Sequence, residues 1–150
     1  MKLNLPNFDM QYRESASGKV EIFDIFRKRW VRLTPEENVR QSFLYYLMME
    51  KNFPESLIGV ERKVIVNKRE RRFDAVIFNR YGKPEILLEF KSPSVKLNQS
   101  AFDQIAAYNF TLEAKFLMLS NGLTHYCVKI DHVNRKLLFL KNIPDYYEIR

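Results

Sequence analysis

Asp74, Glu89 and Lys91 are the residues of this sequence whose types and spacing could do chemistry. Glu89 and Lys91 flank Phe90 at the end of the apolar run Ile86-Leu87-Leu88. Side chains alternate across a strand, so Glu89 and Lys91 project to one side and Phe90 to the other. Asp74 lies in a second β-like run, Phe73 to Phe78, and the turn-rich stretch Asn79-Arg80-Tyr81-Gly82-Lys83-Pro84 joins the two as a hairpin. Pairing of the runs would bring two carboxylates and an ammonium onto one patch of sheet. Such a patch suits a divalent cation held by oxygens, with an amine beside it to orient or deprotonate water. Charged residues at strand ends are also common, and an exposed Glu–Lys pair contributes under about 1 kcal/mol. Both acids, however, are embedded in apolar strands, where a buried carboxylate needs a metal or a salt bridge to compensate its desolvation.

The elements that must position these residues are legible in the pattern. Residues 1–18 are polar, with a turn at Ser15-Ala16-Ser17-Gly18, and read as a partly ordered arm. Lys19 to Phe26 alternates weakly and could form a hairpin with Trp30-Val31-Arg32-Leu33. Thr34 is a good helix N-cap, Pro35 suits the first helical position, and Glu37 completes a capping box. Val39, Phe43, Tyr46, Leu47 and Glu50 recur at helical spacing, predicting a helix to about Lys51 and a short turn at 55–58. Strands are predicted over 60–66, 73–79 and 85–91. A second helix follows over 100–114, then strands over 116–119, 123–130 and 136–140, with a short helix in the tail. This order predicts an α/β protein with a mixed central β-sheet flanked by helices on both faces.

Composition bounds the function. One domain of 150 residues can bury a real core, and a 46% hydrophobic fraction with twelve Phe argues against disorder. No stretch reaches the roughly 18 to 20 apolar residues of a membrane helix, and the N-terminus has no apolar signal-peptide core. The lone Cys127 excludes an internal disulfide and suits a reducing cytoplasm, where it would pack as a small hydrophobe. A formal charge of +7 favours a polyanionic partner, with nucleic acid the first candidate. The basic residues cluster at Arg27-Lys28-Arg29 and at Lys68-Arg69-Glu70-Arg71-Arg72, the second running directly into Asp74. His125 and His132 lack the further ligands and spacing of a zinc site.

Asp74 followed by Glu89-Phe90-Lys91 resembles the PD-(D/E)XK nuclease signature. The wider sequence resembles one branch of it, the N-terminal nuclease domain of type I restriction enzyme R subunits. Four stretches match in order: Leu33-Thr34-Pro35-Glu36-Glu37 through Arg40-Gln41; Arg72-Phe73-Asp74-Ala75-Val76; Leu88-Glu89-Phe90-Lys91-Ser92-Pro93; and Gln104 followed by Tyr108. A fifth, Leu119-Ser120-Asn121-Gly122, is similar to the strand and turn that close that domain. The resemblance spans roughly residues 33–125 and implies a restriction-endonuclease-like fold.

The same resemblance implies roles. Asp74 and Glu89 would ligate Mg²⁺, for which Mn²⁺ would substitute, together with the main-chain carbonyl of Phe90. Lys91 would orient or activate the attacking water. Gln104 and Tyr108, one helical turn apart, would face the site, supporting Lys91 or contacting the nucleic-acid strand. Glu37 matches a helix acid that points toward the metal in many relatives, though the capping box also accounts for it. Glu61 could approach the same face or form a solvated salt bridge. Arg69, Arg71 and Arg72 would hold the phosphate backbone, a sequence-independent and salt-sensitive contribution.

The expected reaction is metal-dependent phosphodiester hydrolysis, with DNA the favoured substrate. Nothing resembling a G-x-x-x-x-G-K-[ST] loop is present, so a nuclease module without the motor of R subunits is expected, partnered with other restriction-modification or helicase subunits. Cleavage of both strands would favour a homodimer or two successive nicks. Two other classes compete: a nucleic-acid-binding or assembly module on a nuclease-like fold, and a structural domain whose charges are ordinary ion pairs.

Overall fold

The computed structural model describes residues 2–66, 68–112 and 114–149, and the side chains of these except Val66 and residues 107–112. Two sheets form. The smaller has three antiparallel strands, β1 (Tyr12–Glu14), β2 (Val20–Asp24) and β3 (Arg29–Arg32). The larger runs in the order β4 (Ile58–Val66), β5 (Arg69–Phe78), β6 (Pro84–Phe90), β7 (Phe116–Ser120), β8 (His125–Asp131) and β9 (Lys136–Phe139). All its neighbours are antiparallel except β6 and β7, which are parallel and register Glu89 with Leu119 and Phe90 with Ser120. A parallel pair needs a long crossover, and helix α2 (Gln99–Leu112) supplies it.

Helix α1 (Pro35–Glu50) begins where its sequence dictates. Thr34 is extended, and its hydroxyl accepts the Glu37 N–H at 3.0 Å. The reciprocal half of the capping box does not form, because the Glu37 carboxylate turns instead to Arg27, Arg40 and Gln41. Val39, Phe43, Leu44 and Leu47 of α1 pack with Ala75, Ile77, Ile86, Leu88 and Phe90. On the opposite face, Phe102 and Ala106 of α2 pack with Val76, Leu87, Leu117 and Val128. The two core clusters draw on alternate residues of β6, as period-2 burial requires. The mixed sheet with a helix on each face is therefore present.

Two parts differ from expectation. The hairpin of β4 and β5 extends beyond the core, so the run 69–72, anticipated as a basic stretch ahead of the strand, lies inside β5. Residues 1–18 contain β1, which pairs Tyr12 with Ile22 and Arg13 with Glu21. Upstream, the Asn4 N–H donates to the Gly122 carbonyl at 2.8 Å. Gly122 has φ +87°, and an added Cβ would lie 2.7 Å from Leu3 and 3.0 Å from Val39. The segment is thus docked against the turn that follows β7. A short helix, α3 (Tyr146–Ile149), ends the described chain. Among the described residues, no helix is long and apolar enough to cross a membrane.

Candidate active site

Asp74 and Glu89 come together where β5 meets β6. The pair of strands registers Ala75 with Leu88, and just beyond it Asp74 Oδ2 accepts the Phe90 N–H at 2.7 Å. That bond fixes the Asp74 carboxylate against the backbone next to Glu89. The Glu89 carboxyl is half-buried, and its pKa is pushed up to about 9. Burial contributes most, followed by the charge of Asp74 and a hydrogen bond with it, while Lys91 pulls the other way and Glu36 adds further repulsion. Two carboxylates this close repel each other when ionised, a repulsion that a bound cation would relieve.

The strand that faces Asp74 is distorted. The ladder pairs Val60 with Ala75 and Arg62 with Phe73, and skips the position at which Glu61 would oppose Asp74. Glu61 has φ +52°, a left-handed conformation that is costly for a non-glycine residue. Phe73 joins the same core cluster as Val76, although strict alternation would send the two to opposite faces. The break in pleat falls at Asp74.

Beside the acids lies a cleft of about 370 Å³ lined by Glu70, Arg71, Arg72, Phe73, Glu89, Lys91, Ala101, Gln104 and Ile105. Lys91 is exposed there, its own N–H anchored on the Ser120 carbonyl at 2.9 Å. Gln104, on α2, faces the same cleft across from the sheet. Arg71 and Arg72 line it, and Arg72 also donates to Glu61 at 2.7 Å. Arg69 pairs with Val66 at the far end of the hairpin and is not among the lining residues. Tyr108 falls within α2, but its side chain lies outside the described residues.

Glu37 belongs to a charge network beside the cleft. It binds Arg40 in two places, at 2.9 and 2.7 Å, and Arg27 at 2.5 Å. Gln41 donates to it at 3.1 Å. Arg27 also pairs with Asp24 and, at 3.1 Å, with Glu61. Desolvation opposes ionisation of Glu37, yet Arg40 and Arg27 hold its pKa below the usual carboxylate range. Arg40 feels the charge of Asp74 as well, so the network ends at the paired acids. Sequence reasoning gave Glu36, Arg40 and Arg27 no role beside the acids. Arg40 was detectable as the i+3 partner of Glu37, but its burial was not.

The donor set suits a hard divalent cation: two crowded carboxylates whose mutual repulsion a metal would relieve. Among the described residues no group of three or more His, Cys, Asp or Glu gathers as a ready-made metal cage. Further ligands would have to be main-chain carbonyls or water, as Mg²⁺ commonly accepts. His125 is engaged elsewhere, with Ser120 Oγ at 2.7 Å and the Asn4 carbonyl at 2.8 Å.

Comparison with known proteins gives the family and the fold. Residues 35–144 match the family model of the type I restriction enzyme R protein N terminus. The chain belongs to that family. A solved fragment assigned to the HsdR subunit of a type I restriction enzyme from Vibrio vulnificus YJ016 superposes with a TM-score of 0.54 at 18% identity. The superposition covers 78% of this chain and 24% of that one, so the chain spans about a quarter of the neighbour's length and shares its fold. No curated protein matches the chain.

Proposed function

We propose that this chain is the nuclease domain of a restriction-type enzyme, hydrolysing phosphodiester bonds of DNA at Asp74, Glu89 and Lys91. One observation carries the proposal: the Asp74 carboxylate is fixed on the Phe90 N–H beside Glu89, and Glu89 lines a cleft with Lys91 and Gln104. A purely structural ion pair would set opposite charges together, whereas this site sets like charges together. Such crowding lowers stability and marks a cation site.

Asp74, Glu89 and the Phe90 carbonyl would hold Mg²⁺ or Mn²⁺. When bound, the ion supplies positive charge for a non-bridging phosphate oxygen and lowers the pKa of water. Lys91 reaches into the cleft from beside Glu89, where its ammonium orients the attacking water and offsets charge that develops on phosphorus. Gln104 faces it from α2 and fixes that water or the Lys91 amine by hydrogen bonding. Arg71 and Arg72 hold the phosphodiester backbone along the cleft wall, and Arg69 extends that contact along the ribbon. Glu37 acts through Arg40, holding a positive charge near Asp74 rather than touching the ion. Family membership supports a place beside other restriction-modification subunits.

The deciding experiment is cleavage of supercoiled plasmid and of single-stranded DNA with Mg²⁺ or Mn²⁺, run beside Lys91→Ala. Metal-dependent nicking is expected, with the variant reduced by about 10² to 10⁴-fold, the usual range for losing a proton-transfer or orienting group. Cleavage surviving in Asp74→Asn/Lys91→Ala would overturn the assignment. A second readout needs no turnover: Mn²⁺ should raise the melting temperature of the native chain and leave Glu89→Gln unmoved.

A further inference from the structure

The three-stranded sheet lies outside the matched residues 35–144, and the catalytic proposal leaves its outer face unused. Its register divides the side chains by face. Ile22 and Asp24 point inward and are fully buried. Arg13, Glu21 and Arg32 stand opposite one another on the outer face, with Phe23 opposite Trp30 beside them. Phe23 and Trp30 meet at a steep angle, their ring centroids 5.3 Å apart. The Arg13 guanidinium lies 4.5 Å over the Trp30 ring and binds Glu21 at 2.8 Å, yet half of its side chain is open to solvent. The exposed Lys28 adjoins this face at the β2–β3 turn, whereas Arg29 pairs with Asp24 on the other side.

We propose that this face is a stacking platform for single-stranded nucleic acid. An unpaired base would stack on the Trp30–Arg13 surface, and Arg32 and Lys28 would meet the phosphates. Aromatic rings interleaved with arginine on an open sheet suit unstacked bases, because every base has a π-face and the strand carries its own negative charge. Duplex DNA hides those faces and does not fit a flat sheet. The inner face of the same sheet is joined to the proposed active site: Asp24 of β2 holds Arg27, Arg27 holds Glu61, and Glu61 holds Arg72 on the cleft wall. These pairs fix the small sheet relative to the cleft. This deepens the nuclease proposal by naming the form of its substrate, an unpaired strand or tail.

Trp30 is the chain's single tryptophan, so its emission reports on this face alone. The test titrates oligo(dT) and a duplex of equal length into the full chain carrying Asp74→Asn, in EDTA, so that binding is read without cleavage. Oligo(dT) is expected to quench Trp30 and the duplex to leave it nearly unchanged. Anisotropy of labelled oligo(dT) should show Trp30→Ala binding about five- to a hundredfold more weakly. Trp30→Phe should recover most of that loss, which a merely misfolded sheet would not. Absent quenching, equal quenching by duplex, or undiminished binding by Trp30→Ala would each overturn the platform. Nicking by the wild-type chain with Mg²⁺ is read separately, so the platform can fail while the nuclease stands.

Discussion

At the scale of single residues, the charge network around Glu37 gives a definite pH dependence. Its folded-state pKa is lowered, so the stability it contributes is present above the unfolded-state value. That contribution is lost as pH falls through the folded-state value. Glu37→Gln leaves Arg27 and Arg40 facing each other without their shared carboxylate, and breaking a buried pair from one side costs about 3 to 5 kcal/mol. The deficit relative to wild type should be full at pH 7 and shrink toward pH 3, checked by urea denaturation at both. Cys127 is pushed the other way, up to about 12 by burial alone. Its thiol should resist disulfide-exchange reagents at pH 8 until the chain unfolds. Prompt labelling of folded protein would contradict the core placement. Glu61 permits a sharper test of strain, because only glycine adopts its φ of +52° freely. Glu61→Gly should keep the break opposite Asp74, and with it Mn²⁺ binding, whereas Glu61→Val should close the ladder and weaken that binding.

At the scale of elements, the sequence announced what burial controls. Both helices on the sheet, its mixed character, the strand of β4 and the apolar β7 followed from periodicity and turn residues. The β5 arm of the β4–β5 ribbon did not. The outer part of the ribbon is held by ladder hydrogen bonds and surface pairs such as Lys63–Glu70, and Ile65 there is 64% exposed. No hydrophobic alternation marks such a segment, so Arg69 to Arg72 reads as a loop. The same limit applies at the site. Asp74, Glu89 and Lys91 stand out because charge interrupts apolar strands, but Arg27, Arg40 and Glu61 are brought to them only by tertiary packing. Glu37 shows the ambiguity: the Thr34 cap is real, and the carboxylate that should complete it is committed to arginines. Thr34→Ala should therefore cost only the cap, about 1 kcal/mol by thermal or chemical denaturation.

At the scale of the whole molecule, the formal charge of +7 acts through its distribution. Arg27, Arg40 and Arg72 are partly spent on Asp24, Glu37 and Glu61, so their positive charge is in part structural. What remains for a polyanion lies on the ribbon, on the cleft wall and on the outer face of the small sheet. Each phosphate neutralised releases condensed counterions, which lowers the logarithm of affinity by about 0.9 per logarithm of salt on duplex and about 0.7 on single strands. Removing one cation that truly meets phosphate should then flatten the salt slope by nearly one unit. Arg71→Ala and Arg69→Ala separate the parts of the surface. A flattened slope in Arg71→Ala alone would confine the nucleic acid to the cleft, where Arg71 lies beside Glu89 and Lys91. Flattening in both would extend the track along the ribbon. An unchanged slope in both would remove the ribbon and the cleft wall from the interface, leaving Lys91 and the small sheet to carry the contact.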